Sequence, residues 1–262
     1  NGTSFPLLMN LFANKRITDE LLNLTGAEGY HSRMKELLSL IDSKPRLSRK
    51  SIQTLNGIRK TAPRKLRRKG RCMKMVQNEP DLNLLPVIQC WPHDGGRFLT
   101  LPLVHTIDPD TGQQNTGMYR MQVFDGQTTG MHWHRHKGGA AHFDAWKKKG
   151  KRMPVTVTLG GDPVLTYAAT APLPEGISEN MLAGFIKNER VSLVKSHNSN
   201  IWIPECSDFV IEGYIDPSEP LRTEGPFGDH TGFYSLPDAY PVLHITRISH
   251  CKNAVYPATL VG

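Results

Sequence analysis

The chain has 262 residues, 38% hydrophobic and 21% charged, with 32 Lys and Arg against 24 Asp and Glu for a formal net charge of +8. That supplies apolar sequence for one large or two modest cores and excludes a wholly disordered chain. No apolar run approaches the roughly 18–20 residues that cross a bilayer as a helix, which excludes a helical membrane protein.

The chain opens on Asn1 with no basic segment leading into an apolar run, so no secretory signal is read. Cys72, Cys90, Cys206 and Cys251 lie far apart without a C-x-x-C pair. Neither a zinc knuckle nor a disulfide framework follows, and a reducing, cytoplasmic setting is expected. Residues 4–8 read as a short strand. Helical spacing is read at 18–24 and at 32–41, where Met34, Leu37, Leu38 and Ile41 share a face between the cap Ser32 and the stop Lys44-Pro45. From 44 to 74 the chain carries thirteen Lys and Arg and no acid, more than the whole net excess. No aromatic residue lies between Pro45 and Cys90, so this stretch lacks the stacking platforms of single-strand nucleic-acid binders. A solvated linker or exposed helix is expected there and no nucleic acid as partner; peripheral contact with an anionic membrane surface stays open.

Short β-type runs follow at 98–104, 118–124, 130–135, 154–159, 192–195, 209–215, 242–248 and 254–261. Asp94-Gly95-Gly96, Asp125-Gly126, Gly160-Gly161-Asp162-Pro163 and Glu224-Gly225-Pro226 punctuate them as turns. One helix, 178–186, interrupts the series, with Ser178 as N-cap and Glu179 in its first turn. Many strands with few helices predict an antiparallel barrel or sandwich. The expected class is α+β: a partial N-terminal α/β region with basic linker over 1–83, then a β domain over 84–262.

Three groups of residues carry candidate chemistry. His132, His134, His136 and His142 are dense, and on a strand the first three share a face. Imidazoles suit zinc, but three same-face ligands on one strand crowd a tetrahedral ion, so a single functional His is favoured. Glu224 and Asp229 stand five apart in a loop of Gly and Pro. Facing one partly dry pocket, such acids split their pKa values and leave one protonated as a donor; the competing reading is a solvated surface turn. Asn115-Thr116-Gly117-Met118-Tyr119-Arg120 marks either an anion site or an ordinary surface arginine.

Read in order, Trp91-Pro92-His93-Asp94-Gly95-Gly96, Asn115 to Arg120, His136-Lys137-Gly138-Gly139, Leu159-Gly160-Gly161-Asp162-Pro163, Ser178-Glu179, Glu212-Gly213 and Glu224-Gly225-Pro226-Phe227-Gly228-Asp229-His230-Thr231-Gly232 make a string. It resembles the UbiD family of prenylated-FMN-dependent decarboxylases, and Phe5-Pro6-Leu7-Leu8-Met9-Asn10-Leu11-Phe12 is similar to that family's early strand. The resemblance implies an antiparallel split β-barrel of the flavin-reductase-like kind that binds prenylated FMN. It implies Mn2+ or Mg2+ held by Asn115, His136 and Glu179, with K+ nearby in some members. Flavin contacts carried over are Met118, Tyr119, Arg120, His132, Trp133, His134, Lys137 and Gly138; the catalytic residues are Arg120, Glu224 and Asp229, with Asp229 as proton donor. The implied reaction is non-oxidative decarboxylation of an aromatic acid. The nearest match is the decarboxylase of 4-hydroxy-3-polyprenylbenzoate in ubiquinone biosynthesis; a hydroxynaphthoate of a menaquinone route and phenolic or cinnamic acids are alternatives. A flavin prenyltransferase is implied as cofactor supplier, and a homo-oligomer at full length. Family members are longer at both ends, so truncation and absence of a C-terminal domain are expected. Two other readings stand beside this: an inactive flavin-binding fragment, or a basic nucleic-acid-binding protein acting through residues 44–74.

Overall fold

The computed structural model describes residues 3–22, 61–133, 138–173 and 178–261. The expected helix at 32–41, residues 44–60 of the basic stretch, and His134, His136 and Lys137 lie outside these.

Seven strands make the central sheet: β1 (Met75–Val76), β2 (Leu103–Ile107), β3 (Gln114–Met118), β4 (Thr128–Gly130), β5 (Met153–Leu159), β6 (Phe209–Ile215) and β7 (Val242–His250). Their order is β1-β7-β6-β5-β2-β3, with β4 also paired to β7. Every pairing is antiparallel. The long middle strands are covered on both faces. Val155, Val157, Phe209, Ile211, Leu243 and Ile248 join one buried cluster, while Val210 on the opposite face packs with Cys72, Met73, Val194, Ile201 and Ile203. This two-sided burial encloses Thr156 and Thr158 as fully as Val155 and Val157, so the Val-Thr alternation of β5 does not mark a solvent face. The β6–β7 register shifts between Glu212 and Gly213. There the His244 carbonyl presses so closely on Gly213 that no Cβ fits. Among the described residues, the ladder ends at β1 and β3 without joining them, an open mixed α/β fold and not a closed barrel.

Among the described residues there are four α-helices: α1 (Lys15–Leu21), α2 (Gly138–Lys148), α3 (Pro163–Ala168) and α4 (Glu179–Lys187). The expected helix at 178–186 corresponds to α4, whose Ser178 side chain accepts from the Met181 amide at 3.2 Å. Leu182, Ala183 and Ile186 of α4 pack with Val164, Leu165 and Ala168 of α3.

Several expectations are corrected. The run 98–104 divides into Phe98–Leu99, paired with Met121–Gln122, and β2. The run 118–124 divides likewise into the end of β3 and Met121–Gln122. Among the described residues the strand expected at 130–135 ends at Gly130, so His132 lies beyond it. Residues 61–83 are no solvated linker. Arg64–Lys65 pair with Ser192 and Leu193, β1 pairs with β7, and Cys72 and Leu82 are fully buried. Helices α2 and α3 were not expected. The buried face of α2 holds only Gly139 and His142, and α3 grows from a Gly-Gly-Asp-Pro turn whose Asp162 serves as its N-cap.

Candidate active site

Strand β3 and the residues after it carry most of the chemistry. Its register against β2 sets His105 opposite Thr116 and Thr106 opposite Asn115. His105 is fully buried and bridges Thr116 Oγ1 and Thr158 Oγ1, each at 2.9 Å. Burial pushes its pKa down to about 3, so the ring stays neutral. Thr106 Oγ1 lies 2.8 Å from His142 Nδ1, which ties α2 to the same sheet.

Beside β3 opens a cleft of about 1050 Å³ whose walls include Asn115, Met118, Tyr119, Gly138 and Glu179. Glu179 enters because Ser178 caps α4 and starts the helix there; its Oε2 accepts the Thr116 amide at 3.3 Å. Burial pushes the Glu179 pKa up. Asn115 Nδ2 is buried without a hydrogen-bond partner among the described residues. Gly138 closes on the same carboxamide so tightly that a Cβ would collide with its oxygen. One amide oxygen and one desolvated carboxylate on one wall suit a hard, oxygen-preferring divalent cation. Asn115 and Glu179 therefore fit the metal role implied for them. Among the described residues no three His, Cys, Asp or Glu form a metal-binding group.

Past the cleft, Arg120 enters a second cluster. Its Nε donates to Glu224 Oε1 at 2.9 Å, its Nη2 donates to Ser235 Oγ at 3.0 Å, and its guanidinium lies 4.6 Å from the Phe227 ring centroid. His132 Nδ1 reaches the same Glu224 oxygen at 3.0 Å, and its ring packs on Tyr240 at 4.4 Å. The Glu224 side chain is wholly buried, with Oε2 unpartnered among the described residues. The loop read from sequence is a hairpin: Arg222–Glu224 pair with Asp238–Tyr240, and Phe227–Gly228 pair with Tyr234–Ser235. Asp229 sits at its turn, with a side chain 33% exposed. Burial acts upward on the Asp229 carboxyl. The hydrogen bonds from the His230 amide and ring, with the charges of His230 and Arg120, outweigh it and hold the pKa below the ordinary value. In this state Asp229 is a carboxylate.

The structure thus gathers the sequence-derived residues into two groups. Asn115, Met118, Tyr119, Gly138 and Glu179 line the cleft; Arg120, His132 and Glu224 make direct contacts, with Asp229 in the field of Arg120; residues 118–120 join the groups. Trp133 is buried, packs on Phe143 at 5.9 Å, and leaves no room for a Cβ at Gly139. Sequence reading missed Thr116, Ser235 and Tyr240. Only the hairpin register, which no local pattern encodes, brings Ser235 and Tyr240 back to Arg120 and His132. No helix among the described residues is long and apolar enough to cross a membrane.

Comparison with known proteins identifies the lineage. An uncharacterized protein of Archaeoglobus fulgidus is 44% identical over 262 residues, covering 100% of this chain and 54% of its own length. A subunit of 4-hydroxybenzoate decarboxylase from Chlamydia pneumoniae is 39% identical over 263 residues, covering 100% of this chain and 44% of its own length. The chain spans about half the length of the curated relatives it matches. Two solved structures share the fold. The UbiD-class enzyme HmfF from Pelotomaculum thermopropionicum, in complex with prFMN, has a TM-score of 0.83 at 21% identity, with 100% of this chain and 56% of that one covered. The closed form of vanillic acid decarboxylase from Sedimentibacter hydroxybenzoicus has a TM-score of 0.82 at 23% identity, with coverage of 100% and 54%. The family model described as UbiD, the 3-octaprenyl-4-hydroxybenzoate carboxy-lyase Rift-related domain, matches residues 64–262. The chain belongs to the UbiD family.

Proposed function

We propose that this chain carries the cofactor cleft and the acid–arginine cluster of a decarboxylase that removes CO2 from an aromatic carboxylic acid with prenylated FMN. One observation carries the reading: the short segment that walls the cleft with Asn115, Met118 and Tyr119 delivers Arg120 to a buried carboxylate at 2.9 Å. The open sheet would be one part of the split barrel that holds the flavin. Asn115 and Glu179, with His136 as third ligand, would hold Mn2+ or Mg2+ against the flavin phosphate. When bound, the prenylated flavin would supply an electron sink for the pair left on carbon as CO2 departs.

The chain's own residues orient and protonate. Arg120 is held by Glu224 and Ser235 and stacked over Phe227, which fixes its fork to receive a substrate carboxylate. His132, on the same Glu224 oxygen, keeps that buried acid from turning. Asp229 supplies the proton that replaces CO2 on the ring carbon. It begins ionised, but a bound substrate brings a second negative charge and diverts Arg120, and both changes raise the Asp229 pKa. Proton uptake by Asp229 then accompanies substrate binding.

The substrate is proposed as a hydroxybenzoate, in particular the 4-hydroxy-3-polyprenylbenzoate of ubiquinone biosynthesis. The family model's description and the naming of the Chlamydia pneumoniae relative both support a hydroxybenzoate. A flavin prenyltransferase would supply the cofactor, and the whole protein would assemble as a homo-oligomer in the cytoplasm. The test is co-expression with a flavin prenyltransferase, mass and visible spectra of the bound cofactor, and CO2 release from prenylated and unprenylated 4-hydroxybenzoate. Asp229→Asn should bind the flavin normally and lose about 10²–10⁴-fold in turnover, the usual worth of a positioned acid. Wild-type turnover in that variant removes Asp229 from the mechanism, and no flavin bound at all overturns the reading.

A further inference from the structure

The Trp91-Pro92-His93-Asp94-Gly95-Gly96 turn has no part in the chemistry above, yet it makes a dense set of contacts to the acid hairpin. Asp94 is 7% exposed. Its Oδ1 accepts the Gly228 amide at 2.7 Å, next to Asp229, and its Oδ2 accepts the Trp91 amide at 2.9 Å, which closes the turn on itself. The Gly95 amide donates to the Pro226 carbonyl at 2.7 Å. Gln122, two residues beyond Arg120, links both sides: its Nε2 donates to the Gly95 carbonyl at 2.6 Å and its Oε1 accepts the Gly225 amide at 2.7 Å. The hairpin's other arm is held too, since the Tyr234 hydroxyl accepts the His93 amide at 3.3 Å and the two rings meet edge-on at 5.7 Å. No side chain fits between the pieces. A Cβ on Gly95 would collide with the Gly225 backbone, and one on Gly228 with the Trp91 ring.

We propose that Asp94, with Gln122, is a positioning residue: a clamp that fixes the hairpin from Gly225 to Gly228 and so sets Asp229 and Glu224 at working distance from Arg120. The chemistry favours this. Hairpin strands of two or three residues hold their own geometry poorly, because a two-stranded ribbon is marginal in water. A buried carboxylate that accepts two backbone amides is a stiff, charge-assisted anchor. Gln122 and Arg120 leave the same segment and end on neighbouring residues, Gly225 and Glu224, so the clamp and the ion pair share one register. Asp94 touches neither cleft wall nor any reacting group and acts only through the backbone it holds.

This rests on the decarboxylase reading, and its test separates the two. In Asp94→Ala, with fold checked by far-UV circular dichroism, the Asp229 carboxyl pKa, read by 13C NMR titration in the flavin-free protein, should move up as Asp229 drifts from Arg120, by the share that the Arg120 charge contributes while the His230 hydrogen bonds travel with the hairpin. FMN affinity should be unchanged, because the cleft is intact. In the protein loaded with prenylated FMN, kcat should fall on the order of 100-fold, the cost of about an ångström of misplacement, with KM little altered. Asp94→Asn, which keeps one carbonyl oxygen for the Gly228 amide, should recover part of both effects. If Asp94→Ala fails to fold, Gln122→Ala cuts the other half of the clamp and is read by the same titration and the same kcat. A folded variant whose Asp229 titration and kcat match the wild type overturns the clamp. Absence of decarboxylation in the loaded wild type overturns the functional reading instead, and the NMR titration still judges the clamp.

Discussion

Replacing His105 by Gln removes a buried titrating ring while keeping a side chain able to hydrogen-bond toward Thr116 and Thr158. In the native chain this imidazole is wholly enclosed and its pKa is pushed down to about 3, whereas the unfolded chain gives it the ordinary value of 6.5. Between those two values the unfolded state binds a proton that the native state refuses, so stability must fall as the pH drops. The contribution is fully present above pH 6.5, declines through the acid range, and is lost by about pH 3. At about 1.4 kcal/mol for each tenfold difference in proton affinity, the gap from 6.5 to about 3 corresponds to roughly 5 kcal/mol. Urea unfolding of wild type and His105→Gln at several pH values from 7 to 4 reads this directly. His142 and His197, whose pKa values burial also lowers, titrate in both proteins and cancel in the difference. The wild type should lose about 1.4 kcal/mol more per pH unit than the variant between pH 6 and 4. Parallel lines of unfolding free energy against pH would refute a neutral, enclosed His105 and with it the hydrogen-bonded link that fixes Thr116 beside Asn115.

Arg120→Ala strands the Glu224 carboxylate, whose side chain is wholly buried, and should cost roughly 3–5 kcal/mol in urea unfolding, while Arg120→Ala combined with Glu224→Gln should recover part of it; equal stability of both variants to wild type would contradict a buried ion pair. Glu179→Gln should abolish the Mn2+-dependent part of FMN affinity in calorimetric titrations and leave any metal-free binding unchanged; metal dependence surviving in the variant would remove Glu179 from the ligand set. Burial of Cys72 pushes its thiol up to about 12, so brief maleimide labelling of the native protein at pH 7 followed by peptide mass mapping should find it unmodified; early modification would place Cys72 outside the core.

The residues that were legible in sequence are those whose local pattern and tertiary setting agree. Strands β5 and β6 are mostly buried and announce themselves through Val155-Thr156-Val157-Thr158 and Phe209-Val210-Ile211, while β7 shows in the alternation of buried Leu243 and Ile245 with the less buried His244 and Thr246. Helix α4 carries its own start signal in Ser178. Where the surroundings decide, the local pattern misleads. Residues 98–104 and 118–124 look like continuous strands, but each passes between two different pairings, and the break falls where Arg120 must turn toward Glu224. Helix α2 opens on Gly138-Gly139 because Asn115 and Trp133 leave no room for side chains there, so its composition reads as a turn. The acids Glu224 and Asp229 drew notice from sequence, but solvated acids in a loop look the same. Ser235 and Tyr240, which meet Arg120 and His132, carry no local mark of function, since hairpin register alone recruits them.

A single stretch, residues 114–122, organises everything else. Gln114 exchanges two hydrogen bonds with the Trp202 backbone, Asn115 meets the cleft, Thr116 answers to both His105 and Glu179, Met118 and Tyr119 wall the cleft, Arg120 reaches the acids, and Gln122 grips the hairpin. The strand ends at Met118, so Tyr119 and Arg120 lie on the short link between the cleft wall and the next pairing, Met121–Gln122 with Phe98–Leu99. Each end is pinned by an independent anchor: neutral His105 holds the register at Thr116, and Asp94 holds the hairpin that Gln122 and Arg120 meet. The first fixes Thr116 beside Asn115 and Glu179, the second fixes the hairpin beside Arg120, and the segment between them keeps the two in register.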